Sequence, residues 1–309
     1  MKMKKAAALL LASALAFGVL AGCGSENAAN NAADNASEAA NDELDVVDIN
    51  ADGDGEQAAE SGSEGKSQGD TFTVGFDAEF PPYGFMDDNG DYVGFDLSLA
   101  EEVCERNGWE LVKQPINWDS KDMELSSGSI DCIWNGFTIN GREDAYTWSV
   151  PYVDNSQVFV TAAGSGIASF EDLAGKNVGV QADSSALAAL TSEEDNEENL
   201  ALAATFANLT QYADYNTAFM DLEAGALDAV AMDVGVAQYQ LASRNGEFVI
   251  LDQYLATEQY GVGFLLGNTA LRDQVEATLL EMAADGTIDR IAADWADYGL
   301  SADSICIGK

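Results

Sequence analysis

Histidine is missing from all 309 residues of this chain. That absence removes Ser-His-Asp and Cys-His catalysis, imidazole general bases and histidine-ligated zinc together. Basic residues are scarce, with 13 Lys and Arg against 54 Asp and Glu and a formal net charge of -41. A nucleic-acid partner rewards clustered Lys and Arg, so this balance argues against one. Cysteine is sparse as well: Cys23, Cys104, Cys132 and Cys306 have no CxxC spacing. Cys104 reads as part of a helix and Cys132 as part of a buried strand, which suits small core residues rather than metal ligands. A Cys104–Cys132 bridge stays open on sequence grounds. Beyond the first residues, no run is long and apolar enough to cross a bilayer as a helix.

What is present begins with an address. Lys2, Lys4 and Lys5 precede an apolar run from Ala6 to Val19, followed by Leu20-Ala21-Gly22-Cys23. A basic start and a short apolar stretch ending in small residues read as a secretory signal rather than a membrane span. The cysteine directly after Leu-Ala-Gly matches the bacterial lipobox. Residues 1–22 are then a lipoprotein signal peptide, cleaved before Cys23, which carries the lipid and tethers the chain to the outer face of the cytoplasmic membrane. An ordinary signal peptide with an incidental cysteine is the alternative. Residues 24–70 are rich in Ala, Asn, Gly, Ser and acid without one aromatic residue, the composition of a disordered, self-repelling linker. Within it Asp48, Asn50, Asp52 and Gly53 resemble half of a calcium loop. Ala59 stands where the bidentate acid would be needed, and the linker reading prevails.

From Thr71 onward, β-type runs alternate with helical ones. "TFTVGF" (71–76) predicts a strand, "FDLSLAEEVCERNG" (95–108) an amphipathic helix closed by Gly108, "WELVKQPI" a strand, "DSKDMELSSG" a helix with an Asp or Ser cap, and "IDCIWNG" a strand apolar on both faces. Such runs suit a parallel sheet covered by helices. The grammar then restarts: "NTAFMDLEAGALDAVAMD" repeats the helix–Gly–strand order of "KDMELSSGSIDCIWNG". Two copies of one α/β pattern predict two similar lobes, with a ligand meeting loops at the carboxyl ends of strands. "YGVGFLL" and two final helices joined by Asp285-Gly286 complete the chain.

Four loops carry suggestive chemistry. "GFDAEFPPYGF" offers the acids Asp77 and Glu79, and Phe80 beside Pro81 and Pro82; a solvated acidic turn is the plain alternative. "INWDSK" places Trp118 after a strand, where a core role is commoner than a ligand shelf. "IDCIWNGFTINGRED" supplies Gly136, which lets a ligand approach the backbone, the Thr138 hydroxyl, and the Arg142 fork for a carboxylate or phosphate. Arg142 has a cheaper use, pairing with Glu143 or Asp144. "QADSSA" and "MDV" place Ser184 and Ser185 at a helix start, and Asp233 at the end of a strand apolar enough to be buried. Together these are donors for one carboxylate, an acid for one ammonium and an aromatic surface, the inventory for an amino-acid zwitterion.

In "VGFDAEFPPYGF", "YVGFDLSLAEEV", "IDCIWNGFTINGRED", "WSVPY", "EDLAGKNVGVQADSSA" and "LEAGALDAVAMD", the chain from about Thr71 onward resembles the polar amino-acid-binding lipoproteins of bacterial ABC importers. The resemblance implies an α/β, two-lobed type II periplasmic-binding-protein fold with two hinge crossings and a ligand cleft between lobes. Lobe 1 would be 71–154 plus 257–309 and lobe 2 157–253, with hinges at Asp154–Ser156 and around Tyr254–Ala256. It also implies an ABC-transporter permease with its ATPase as partners, a monomer, and neither cofactor nor catalysis. By the same resemblance Asp77 reads the ligand side chain and Phe80 and Trp118 sandwich it. The Gly136 carbonyl and Asp233 take the α-ammonium, and Thr138, Arg142 and Ser185 hold the α-carboxylate. Asn135 and Ser184 contribute nearby. Two departures stand out: Thr138 and Arg142 are one residue closer than usual, and Asp183 replaces a glycine beside the carboxylate site. Asp77 and Glu79 lean toward a cationic or amide side chain. A dehydratase sharing this fold, with Glu79 as its general acid, and a sensory ligand-binding module are the rival functions.

Overall fold

The computed structural model describes residues 65–192, 197–242, 244 and 246–309. The signal segment, Cys23, the half calcium loop and most of the expected linker lie outside the described residues. Among those described, no helix is long and apolar enough to cross a membrane.

Two sheets organise the chain. The first has five strands in the order Glu110–Pro115, Thr71–Phe76, Cys132–Ile133, Gly263–Phe264 and Thr147–Trp148. The second is built on the order Asn208–Tyr212, Asn177–Gln181, Ala229–Asp233, Val153–Ala162 and Phe248–Ile250, with Ala256–Tyr260 also paired to Val153–Ala162. Helices cover both, in the two-lobed α/β arrangement that the repeated grammar predicts.

Local reasons for these elements are plain. Phe72, Val74 and Phe76 alternate inward along the first strand and are fully buried. The helix Phe95–Asn107 buries Leu97, Leu99, Ala100, Val103 and Cys104 and ends on Gly108 at φ 69°, in the left-handed region. Asp214 caps Tyr215–Glu223 by accepting from Thr217 N–H at 2.7 Å, an interaction worth about 1 kcal/mol.

The sheets are mixed rather than purely parallel. Thr71–Phe76 runs parallel to both Glu110–Pro115 and Cys132–Ile133, whereas Gly263–Phe264 returns antiparallel. The cause is the route of the chain, which leaves the first sheet along Val153–Ala162 and comes back along Ala256–Tyr260, antiparallel to it. The apolar run at 130–136 pairs only over Cys132–Ile133, and "YGVGFLL" only over Gly263–Phe264. The stretch at 119–128 opens as a tight turn, Trp118–Ser120, before the helix Lys121–Ser126, and the Ser120 side chain makes no capping bond. Residues 65–70, counted with the linker, are fastened to the fold. Lys66 Nζ pairs with Asp131 at 2.9 Å, and Lys66 N–H donates to Gln274 at 2.7 Å. Cys104 and Cys132 are buried and unpaired.

Candidate functional site

A small cavity is lined by residues at the ends of strands and on loops of both sheets. Nine of the ten ligand-contact candidates line it: Phe80, Trp118, Asn135, Gly136, Thr138, Arg142, Ser184, Ser185 and Asp233. The tenth, Asp77, lines an adjoining open groove with Glu79, Asp119 and Asp214, and Trp118 borders both spaces.

Arg142 follows a tight turn from Thr138. Its Nη1 donates to the Thr138 carbonyl at 3.3 Å and to Ser185 Oγ at 3.1 Å, and its Nη2 to the Asp183 carbonyl at 3.3 Å. Among the described residues it forms no ion pair, so the cheap pairing with Glu143 or Asp144 is not what holds it. Its guanidinium lies 5.4 Å from the centre of the Phe137 ring.

Asp233 closes the strand Ala229–Asp233 and is 4% exposed. Its Oδ1 accepts from the Tyr260 hydroxyl at 2.5 Å, from Gln157 at 2.7 Å and from Asn155 at 2.8 Å, all neutral donors. Burial raises its carboxyl above the usual range, and these bonds oppose the rise. Gly136 has φ 56°, and a Cβ there would lie 2.8 Å from the Phe80 ring and 3.1 Å from that of Tyr260. Its N–H donates to Asp96 at 2.6 Å, which fixes the loop from behind. Asn135 is fully buried, and neither end of its amide has a partner among the described residues.

Ser184 spends its hydroxyl on its own loop. It donates to the Gln181 carbonyl at 2.8 Å and caps the seven-residue helix Ser185–Thr191 through Leu187 N–H at 3.1 Å. Asp183 is the one non-glycine residue with positive φ among those described, at 55°. Its carboxylate is ion-paired with Lys121, a lysine only 2% exposed. The negative charge that Asp183 adds in place of glycine is thus matched from the other lobe. Trp118 Nε1 reaches the Asp183 carbonyl at 3.3 Å, and Lys121 Nζ sits 5.2 Å from the Trp118 ring centre. Asp77 accepts from Gln181 Nε2 at 2.7 Å and from Glu79 N–H at 2.9 Å; burial pushes it up to about 6. Glu79, the candidate general acid, is exposed, accepts from Asn216 and stays outside the cavity.

Three participants were not singled out from sequence. Gln181 ends a strand whose apolar neighbours mask it. Lys121 sits among polar residues at a helix start, which reads as a solvated face. Glu258 accepts from Asn155 beside Asp233, and nothing in its own short strand signals it, because its partner stands across the sheet.

A two-lobed α/β fold with a cavity lined from both sheets is the architecture of a solute-binding protein. The match to the model of "Bacterial extracellular solute-binding proteins, family 3" spans residues 72–298, and the chain belongs to that family. It is 28% identical over 228 residues to the L-cystine-binding protein TcyJ of Escherichia coli (strain K12), covering 73% of this chain and 82% of that one. It is 25% identical to ABC transporter arginine-binding protein 1 of the same organism, covering 75% and 93%. Among solved structures it resembles a substrate-binding protein of an ABC uptake transporter from Streptococcus pneumoniae with bound histidine. The TM-score is 0.69 and the identity 34%, over 75% of this chain and 94% of that one. These relatives are binding proteins, not enzymes.

Proposed function

We propose that this protein captures a polar amino acid outside the cell, closes its lobes over it and delivers it to an ABC-transporter permease. One observation carries the reading. One cavity is lined by a guanidinium without a carboxylate partner and by a buried carboxylate bonded only by neutral donors. An α-amino acid completes both. Its carboxylate meets Arg142, with Thr138 and Ser185 beside it, and its ammonium meets Asp233 and the Gly136 carbonyl. Asn135 supplies amide groups, while Phe80 and Trp118 flank the side chain. The Asp77 groove receives the end of that side chain, which favours a cationic or amide group. Relatives named for cystine, arginine and histidine support this class.

The lobes are then 71–154 with 257–309, and 157–253, hinged at Asp154–Ser156 and Tyr254–Ala256. Lipid on Cys23 and the segment after it keep the domain beside its permease. Closing the cleft strips water from the zwitterion, and buried charges must then be paired. The test is a thermal-shift panel of the common amino acids with ornithine, citrulline and cystine, in which a true ligand raises Tm. Arg142→Ala should weaken binding of whichever amino acid gives the shift by about 2–5 kcal/mol, roughly 30- to several-thousand-fold. A flat panel on folded protein freed of bound amino acids, or wild-type affinity in Arg142→Ala, would refute the reading.

A further inference from the structure

Behind Asp233 lies a second buried acid, Glu258, and sheet register explains why the two meet. Asn155 pairs with Glu258, and Gln157, two residues on, pairs with Asp233. Residues two apart on a strand share a face, so all four side chains converge. Asn155 Nδ2 donates to Asp233 at 2.8 Å and to Glu258 at 2.7 Å; Gln157 Nε2 donates to both at 2.7 Å. Both amides leave their own buried oxygens without a partner among the described residues, an arrangement that costs free energy unless the acids demand donors.

We propose that Asp233 and Glu258 share one proton before a ligand arrives, and that a ligand's ammonium group displaces it to solvent, so that capture is coupled to proton release. The inference rests on the amino-acid reading of the cavity. No Lys or Arg is ion-paired with either carboxylate among the described residues. The other groups facing the pair are the Tyr260, Tyr215 and Tyr83 phenols, each pushed upward by burial, and Thr138. Arg142 shares the ligand cavity with Asp233, and with Glu143 and Asp183 it lines an open groove that Glu258 also borders, but it is ion-paired with neither acid of the pair. On the same strands Asp154 is engaged with Gln259 rather than with the pair. Two adjacent buried anions with no counter-ion resist double ionisation. Burial first, then the charge of Asp233, pushes Glu258 up to about 7. The pair titrates as one unit, and a cation arriving at Asp233 lowers its hold on the proton. Glu258 acts through Asp233 and is a positioning residue.

Calorimetric titration with L-arginine and L-glutamine between about pH 5.5 and 8, in buffers of differing ionisation enthalpy, reads the displaced proton. In the wild type the affinity should weaken about tenfold per pH unit below the pair's midpoint, because proton and ammonium compete. Glu258→Gln should flatten that slope and abolish proton release, and Glu258→Asp should restore both. A wild type that binds without releasing a proton, or a Glu258→Gln that keeps the slope, overturns the proposal. Infrared titration of protein dialysed free of amino acids separates the two readings. If neither amino acid binds, a carboxyl band that titrates near neutrality and vanishes in Glu258→Gln upholds the shared proton while the ligand assignment falls. Without such a band the shared proton falls as well.

Discussion

Asp183 is the residue at which this chain departs most visibly from the pattern it resembles. A left-handed non-glycine residue costs on the order of 1 kcal/mol, and under the proposed reading it also brings a negative charge beside the ligand carboxylate. Lys121 answers the second problem. The Asp183 side chain is half exposed, so the pair itself contributes little to stability. Its effect should fall on the ligand. Lys121→Met would leave Asp183 uncompensated beside Arg142 and weaken amino-acid binding by about 1 kcal/mol, roughly fivefold. Adding Asp183→Gly to that variant should restore the affinity, a coupling that a double-mutant cycle by calorimetry measures. If the double variant binds no better than Lys121→Met, the charge account is wrong.

At the scale of the element, the loop that carries Asn135, Gly136 and Thr138 is held by Asp96. Its Oδ2 accepts from Gly136 N–H at 2.6 Å and from the Tyr152 hydroxyl at 2.8 Å. Burial pushes this carboxyl from 3.8 up to about 7. A folded-state value above the unfolded one means a stabilising contribution fully present below pH 3.8 and lost as pH rises through about 7. Asp96→Asn, which keeps an acceptor for both bonds, should therefore lose less stability than wild type between about pH 5 and 8 in urea unfolding. An equal loss in both proteins would place the titration elsewhere. Such elements were unevenly legible. Thr71–Phe76 and Phe95–Asn107 announce themselves because their burial repeats at the strand and helix periods. The loop residues Gly136, Thr138 and Arg142 could be found because backbone freedom, a hydroxyl and a guanidinium stand close in sequence. Glu258 could not, since its meaning depends on Asn155, about a hundred residues away, and no local period encodes that pairing.

For the whole molecule the governing quantity is charge. A net charge of -41 makes the compact state repel itself, against the nine ion pairs found among the described residues. Melting temperature should rise steadily as NaCl goes from about 20 mM to 0.5 M, as screening shortens the reach of that repulsion. A fall would mean that attractive pairs such as Lys66–Asp131 and Arg106–Asp285 outweigh it. Another property of the whole follows from the route of the chain between its sheets. Thr71–Phe76 and Gly263–Phe264 both belong to the five-stranded sheet, while residues 177–250 supply strands only to the other. A mechanical load applied at Lys66 and Lys309 would enter through Thr71–Phe76 at one end and, at the other, through Ile305, which bridges to Val153 where the second sheet begins, and would bypass residues 177–250. Under tension the stretch with Asp233 is a slack loop, sheltered until its neighbour tears.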